Sequence, residues 1–459
     1  MVYWLRYMIG SSNKDYRRKT MRDTKPLGYT IPEILVPAEE INLKKWSCVA
    51  CDQFTSQPEY WRDVEKQVGA AASSLHIMLP EVFLENSHVD EMIDEMNATM
   101  REYLKDGVLE ALPRGVVLTE RHIGGKVRKG VLLAIDLEQY DYDISRKPMI
   151  RATEETVLAR IPARVKIRRG ACLEMPHIML LIDDEQDNVI GNLHLQRGSL
   201  KKIYDFELMK NGGRLEGWLC DSEKQLDEMA AALAGLKRRD NMLYCVGDGN
   251  HSLATAKTIW NEAKRNMTPA EQQNHPLRFA LCEVINLRDR AVEFMPIHRM
   301  IFNVNPAACA QFVVERLKEN GRDAKLVFGR WNPSTLGEGE SFIIPFRYHE
   351  GAGKLVIENP RHPLAVGEVQ DIFEEYVAQA AGSRIDYIHG DEAFNQLAGG
   401  YDAIGFYFDA LKKEQFFDLI VACGVLPKKT FSLGEAEGKR YYMECRLLTY
   451  AQYEQQEEN

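Results

Sequence analysis

The sequence predicts a mixed α/β fold of the α+β kind, divided into more than one unit, and three observations carry that expectation. Short β-favouring apolar runs alternate with amphipathic, helix-period stretches along the chain. At 459 residues the chain is too long for one ordinary core. The stretch Asn241 to Asn261, NMLYCVGDGNHSLATAKTIWN, reads as a strand (Met242 to Val246), a glycine turn (Gly247-Asp248-Gly249-Asn250) and a helix from Leu253 onward. That layout aims backbone N–H groups and a helix dipole end at a ligand. Asp248, Asn250, His251 and Ser252 crowd the turn. Asn250 or Ser252 as a helix cap, with the glycines supplying positive φ, accounts for part of it. Capping does not account for Asp, Asn and His together at the end of a buried strand, and a binding role does.

Along the chain, Ile31 to Ala38 reads as an entry strand. A helix with Met92, Ile93, Met96 and Met100 inward starts near Ser87 and Asp90 and ends at Gly107. Val116 to Thr119 and Val131 to Ile135 read as strands, as do Ile178 to Ile182 and Val189 to Leu195. Ser222 to Leu236 is helical with an S-x-x-Q start, and Thr268 to Pro276 is a polar loop. Phe279 to Asn286 is a strand, followed by the Pro296-Ile297-His298-Arg299 segment. Residues 304 to 358 alternate a helix with strands near Lys325, Ser341 and Lys354. Val366 to Ala380 is a helix, and Ile385 to His389 and Ala403 to Phe408 are strands. The division expected is an N-terminal extension (1–25), a main α/β domain with the central turn (26–300), a smaller α/β element (301–365) and a C-terminal part packing back on the main domain (366–459). Met1 to Thr20 carry no periodic apolar face, and Met21 reads as the natural start.

Composition narrows the function classes. The net charge of −10 opposes generic nucleic-acid binding. No apolar run is long enough to span a membrane, and no secretory signal is legible. Nine scattered cysteines, an odd number mostly within apolar runs, are the usage of a cytoplasmic protein with free thiols. Cys48 and Cys51 form a CxxC, but no second pair stands at zinc spacing. His177, His194, His251 and His298 invite a metal reading, yet two of them sit in apolar runs that suit satisfied core histidines.

Two further stretches bear on chemistry. Met149 to Arg169 holds Arg151, Glu154, Thr156 and, counting Arg151, six cations within nineteen residues (with Arg160, Arg164, Lys166, Arg168 and Arg169). A solvated strand face and an anion site both remain open for that set. Gly424 to Met443 is a glycine-punctuated basic loop with Lys428, Lys429, Thr430, Ser432, Lys439 and Arg440. Phosphoryl transfer needs cations and N–H groups on phosphates, a carboxylate for Mg²⁺ and a base for the hydroxyl. Those residue types are present, without a Walker A motif, a protein-kinase set or a G-x-S-x-G elbow.

These residues carry a resemblance. Arg151-Ala152-Thr153-Glu154-Glu155-Thr156, Asp248-Gly249-Asn250-His251-Ser252-Leu253-Ala254-Thr255-Ala256, Pro296-Ile297-His298-Arg299 and the run Leu426 to Glu444 resemble the signatures RHExT, DGHHR-x-x-TA, PxHR and LPxKTFSxGxAxxKRYYxE of domain-of-unknown-function family 1015. The resemblance runs from about Ile31 to Leu448. The family's turn looks like that of the free-serine kinase of the ParB/sulfiredoxin-like superfamily. The resemblance thus implies a ParB/sulfiredoxin-like core with added α/β elements and a nucleotide-dependent small-molecule kinase, with ATP or ADP and Mg²⁺. Its alternative is a non-catalytic nucleotide- or phosphate-binding protein. It further implies Glu154, Asp248 and His251 as catalytic residues, Asp248 also as the metal ligand. Arg151, Thr156, Arg160, Gly249, Asn250, Ser252, His298, Arg299, Lys428, Lys429 and Arg440 would hold nucleotide or phosphate. The partners implied are a small-molecule substrate and nucleotide, with neither nucleic acid nor membrane. This sequence departs from the pattern at Thr153, Asn250 and Ser252, where the family has His, His and Arg. Ser252 removes a positive charge that Lys428, Lys429 or Arg440 could restore.

Overall fold

A computed structural model describes residues 24–449 except 144, 336–340 and 435–437. The expectation for the N-terminal extension lies, through residue 23, outside the described residues. Thr24 is already packed, its hydroxyl donating to the Tyr29 carbonyl at 2.6 Å.

Period-2 alternation builds the main sheet, which has ten strands. From one edge they run Lys201–Glu207, Arg214–Cys220, Val116–Ile123, Lys126–Asp136, Phe279–Asn286, Met179–Ile182, Tyr244–Asp248, Ile150–Arg151 and Tyr140–Asp141, with Tyr29–Thr30 also on Lys126–Asp136. Val116, Leu118, Val131 and Leu133 face one core with Trp218, Leu253 and Trp260, while Val117, Leu132 and Leu281 face another with Trp46, Trp61 and Tyr441. The sheet is mixed: Tyr244–Asp248 runs parallel to Ile150–Arg151 and antiparallel to Met179–Ile182. The parallel pair sends both carboxyl ends to the same side, and the functional groups gather there.

A second sheet of seven strands is organised on Phe294–Phe302, which pairs with Arg384–His389 on one side and Ala403–Phe406 on the other. Its first residues pair instead with Phe431–Leu433, from Phe294 against Leu433 to Pro296 against Phe431. The late basic loop is therefore sewn to the second sheet at one end. At its other end Tyr441, Tyr442, Met443 and Cys445 enter the main core. The helices Pro306–Glu319 and Ala365–Gln379 bury Val313, Leu317, Val369 and Phe373 on the second sheet. The mixed α/β class expected from the sequence is what the protein has.

Several local expectations are corrected. Val189 to Leu195 is not a strand: Ile190–Gln196 is a helix, because Ile190 and Leu193 make a helical stripe that is buried. Thr268 to Pro276 is no plain loop, since Thr268 and Glu271 form a capping box that starts the helix Pro269–Asn274. Neither Ser222 nor the region of Ser87 makes a side-chain cap; the second helix begins after His88. The basic stretch is neither a strand face nor an anion site along its length. Residues Ile161–Arg169 form a helix whose Arg164, Lys166, Arg168 and Arg169 pair with Glu81, Asp90, Glu174 and Glu262. All nine cysteines are free thiols, and burial together with Asp52 pushes Cys51 up to about 12, far from a redox or metal-ligating thiolate. Among the described residues no helix is long and apolar enough to cross a membrane.

Candidate functional site

The central turn forms as its sequence reads. Tyr244–Asp248 is a strand, Gly249 takes a left-handed φ of 86°, and Asn250–Ala263 is a helix buried along Leu253, Ala254, Ala256 and Trp260. A side chain at Gly249 would be strained by that φ and would press on Ile178 at 3.0 Å. No side chain caps this helix, so the capping reading of Asn250 and Ser252 fails and the first N–H groups point outward without an intrahelical partner.

That end opens on a polar cavity of about 110 Å³ lined by Thr153, Glu154, Asp248, Asn250, Lys429, Ser432 and Lys439, with Ile297 and His389 from the second sheet. Each element delivers a residue for a physical reason. The loop after Ile150–Arg151 pairs with the late segment, Leu426 donating to the Thr153 carbonyl at 2.8 Å, which sets Glu154 against it. Lys429 adopts a left-handed φ of 56° and turns its N–H onto Glu154 Oε1 at 3.2 Å. Lys439, buried, reaches Asp248 Oδ2 at 3.2 Å, while Oδ1 accepts from the Gly249 N–H at 3.0 Å. Burial holds the Glu154 carboxyl above the usual glutamate range; nearby Asp248 pushes it the same way, and Lys429 and Lys439 oppose.

Of the residues singled out from the sequence, Glu154, Asp248, Asn250 and Lys429 meet at this cavity, next to Gly249. Asn250 is already engaged: its amide donates to Thr153 Oγ1 at 3.2 Å and its carbonyl oxygen accepts from the Thr153 N–H at 3.1 Å. Two departures from the family pattern, Thr153 and Asn250, thus bond each other. The third, Ser252, bonds His177 Nε2 at 2.6 Å, and His177 Nδ1 bonds the Tyr442 hydroxyl at 2.8 Å.

Others are corrected. Arg151 is buried and clamps the Asp240 carbonyl and carboxylate. Thr156 is buried off the cavity and Arg160 is exposed at the start of the basic helix. His251 lies beside rather than in the cavity, accepting from the Val157 N–H at 3.4 Å; burial and then Arg164 and Arg160 drive it down to about 4, so it is neutral at pH 7. Lys428 turns away to Glu374 at 2.7 Å. Arg299, fully buried, donates to the Lys428 carbonyl at 2.9 Å and to Gln370 at 2.9 Å, a strut beneath the loop rather than a phosphate ligand. Arg440 is committed to Glu444, to Glu283 at 3.3 Å and to the Pro176 carbonyl at 3.2 Å. Lys439 stood in the basic loop without a role and turns out to face the cavity; His389 carried no sequence signal beyond ending a strand.

His298 also leaves the site. It is wholly buried on the second sheet, stacked on Tyr407 at 4.1 Å and accepting the Phe408 N–H on Nδ1 at 3.2 Å. Burial lowers it to about 4. The unfolded chain takes up that proton near pH 6.5, so the folded state loses stability as pH falls from 6.5 toward 4, by about 3 kcal/mol for this group. Denaturant titrations across that window should show the loss, and His298→Asn, which keeps an acceptor, should flatten the slope. An unchanged slope would mean that the ring charges in place.

The model of the family described as "Protein of unknown function (DUF1015)" matches residues 35–358. No curated protein matches. Among solved structures, a free serine kinase in complex with AMP is 14% identical, with 70% of this chain and 92% of that chain covered at a TM-score of 0.38. A conserved hypothetical protein from Pyrococcus furiosus is 13% identical, covering 68% and 90%, at 0.34. SbnI with C-terminal truncation from Staphylococcus aureus is 9% identical, covering 68% and 85%, at 0.34.

Proposed function

The chain belongs to the family described as protein of unknown function DUF1015, and from that premise we propose that its central cavity is a phosphotransfer site, taking a phosphoryl group from ATP or ADP to the hydroxyl of a small molecule. One observation carries the reading: two carboxylates, Glu154 and Asp248, and two lysines, Lys429 and Lys439, converge on a polar cavity at a helix N-terminus that no side chain caps. Phosphoryl transfer asks for that combination, with N–H groups and ammonium charges on the phosphate oxygens and a carboxylate to accept the hydroxyl proton. Glu154 is the base, its proton affinity raised above the usual glutamate range by burial. Lys439 and Lys429 neutralise the transferred group. An all-oxygen donor set suits Mg²⁺, and Asp248 would hold it by exchanging part of its contact with Lys439; the ion would neutralise phosphate charge. At about 110 Å³ the cavity is smaller than the roughly 300–1,000 Å³ of sites that swallow whole ligands, so phosphates and acceptor fill it and the nucleoside lies over its mouth. The ParB/sulfiredoxin-like description of the core, the division into units and a cytoplasmic location belong to the same reading.

A second reading, a nucleotide-responsive binder without turnover, is favoured by the mutual bonding of Thr153 and Asn250, which ties up the side chain at the helix start. Both readings require nucleotide at this helix end. In calorimetric titrations with ADP and ATP, Mg²⁺ should strengthen binding, Lys439→Ala should weaken it at least tenfold, and Lys428→Ala should leave it unchanged. Absence of binding, or equal losses in the two variants, overturns the site.

A further inference from the structure

At the far side of the main sheet, Glu120 and His122 lie on Val116–Ile123 and Glu216 on the neighbouring Arg214–Cys220. Glu120 and Glu216 are direct cross-strand partners, both buried. Two carboxylates so placed repel unless something between them is positive. The arrangement of their oxygens is specific. Oε1 of Glu120 is held by His194 Nδ1, from the helix Ile190–Gln196, and by Arg197 Nε at 3.4 Å. Oε1 of Glu216 is held by Lys202 Nζ at 2.6 Å, with Arg214 at 3.8 Å. Both Oε2 atoms turn instead to one point, His122 Nε2, at 3.8 Å from Glu120 and 2.8 Å from Glu216. That nitrogen is buried and makes no hydrogen bond of acceptable geometry. The three ligand atoms all lie within 4.8 Å of one another.

We propose that Glu120, His122 and Glu216 form a binding site for a divalent transition-metal ion of the zinc class, distinct from the central cavity. Ligand atoms at about 2.0–2.2 Å from a tetrahedral ion stand about 3.3–3.6 Å apart, and the two distances to His122 Nε2 bracket that separation. One imidazole and two carboxylates are a borderline donor set, suited to Zn²⁺, Co²⁺ or Mn²⁺ rather than to Ca²⁺. The outer contacts from His194, Arg197 and Lys202 orient the two carboxylates, as partners of ligating groups commonly do. Access exists as well: His122 and Arg214 line an open cleft of about 410 Å³ bounded by Gly124, Gly125 and Asn211. Asp205 offsets one of the two cations nearby, bound as it is by Arg214 at 2.6 Å and by Lys202 at 2.8 Å. Solvent from the cleft completes the coordination.

The test is a Zn²⁺ titration by calorimetry of the full chain stripped with chelator, repeated with Co²⁺ while its visible absorption is followed. One ion per chain is expected, with tetrahedral Co²⁺ bands. Affinity should fall at least 100-fold in His122→Gln and 10- to 100-fold in His194→Gln, which removes only an orienting contact. Asp248→Asn should leave it unchanged, separating this site from the phosphate cavity. His122 is partly exposed, so its variant is expected to melt within a few degrees of the stripped parent; should it not fold, Glu216→Gln takes its place in the comparison. No binding, or binding unaltered by these substitutions, overturns the proposal and leaves His122 as a bridge between two glutamates.

Discussion

Replacing Glu154 with glutamine is expected to lower phosphoryl transfer about 10²–10⁴-fold, the usual worth of a positioned base, while nucleotide affinity stays within about twofold. Glutamine keeps the acceptor that meets the Lys429 N–H and loses only the basic oxygen. The pH dependence follows from the same burial. Because the folded-state value of Glu154 lies above the ordinary one, its neutral form suits the fold. Its favourable contribution is complete below about pH 4.5 and is lost as pH rises through the folded value. The variant should therefore match the wild type near pH 4 and equal or exceed its melting temperature at pH 7 to 8, which rules out misfolding as the cause of lost turnover. In the wild type, transfer should rise with pH as Glu154 gives up its proton. A variant that turns over within threefold of wild type would exclude Glu154 as the base.

The largest effect on stability is expected at Arg440. Its guanidinium lies among Glu444, Glu283 and the Pro176 carbonyl with 2% exposure. Burial alone would weaken its hold on the proton, but Glu444 and Glu283 more than offset that and hold it above the usual arginine range. Glu283 also accepts the Thr119 hydroxyl at 2.7 Å inside the main sheet. Arg440→Met takes the nearest cation from two buried carboxylates and should cost about 3–5 kcal/mol, read as a lower denaturation midpoint at unchanged slope. Nucleotide affinity of the remaining folded protein should not change. A stable Arg440→Met protein that had lost nucleotide affinity would return this arginine to the phosphate site.

What the sequence made legible was local. The central turn could be read because everything that shapes it lies within about twenty residues: a β-favouring run, a glycine free to take positive φ, and a helical stripe. The strand at 279–286 announced itself in the same way, whereas 294–302 showed only its Pro296-Ile297-His298-Arg299 segment and not that it is a strand. The cations of the basic helix were misleading because their partners Glu81, Asp90 and Glu262 are distant in sequence, and charge neutralisation leaves no local mark. His298, Arg299 and Arg440 sit in motif-like segments, yet all three are buried, the first two on the second sheet and Arg440 against Glu283 of the main sheet. A sequence cannot distinguish a buried strut from an exposed ligand when the covering element arrives a hundred residues later. Lys439 is the converse case, one lysine among several in a basic loop, selected only by the path that brings it to Asp248. Glu120, His122 and Glu216 were invisible for a similar reason: strand pairing across nearly a hundred residues of chain joins them.

The central claim is tested most directly by following the label from γ-labelled ATP and β-labelled ADP, with Mg²⁺, into a panel of small hydroxyl-bearing acceptors that includes amino acids, sugars and simple alcohols. The account predicts label in at least one acceptor with wild type, strong loss with Glu154→Gln and with Asp248→Asn, and retention with Lys428→Ala. Nucleotide that binds tightly at the Lys439 end of the cavity and never passes its label to any acceptor would contradict it and leave a binding protein.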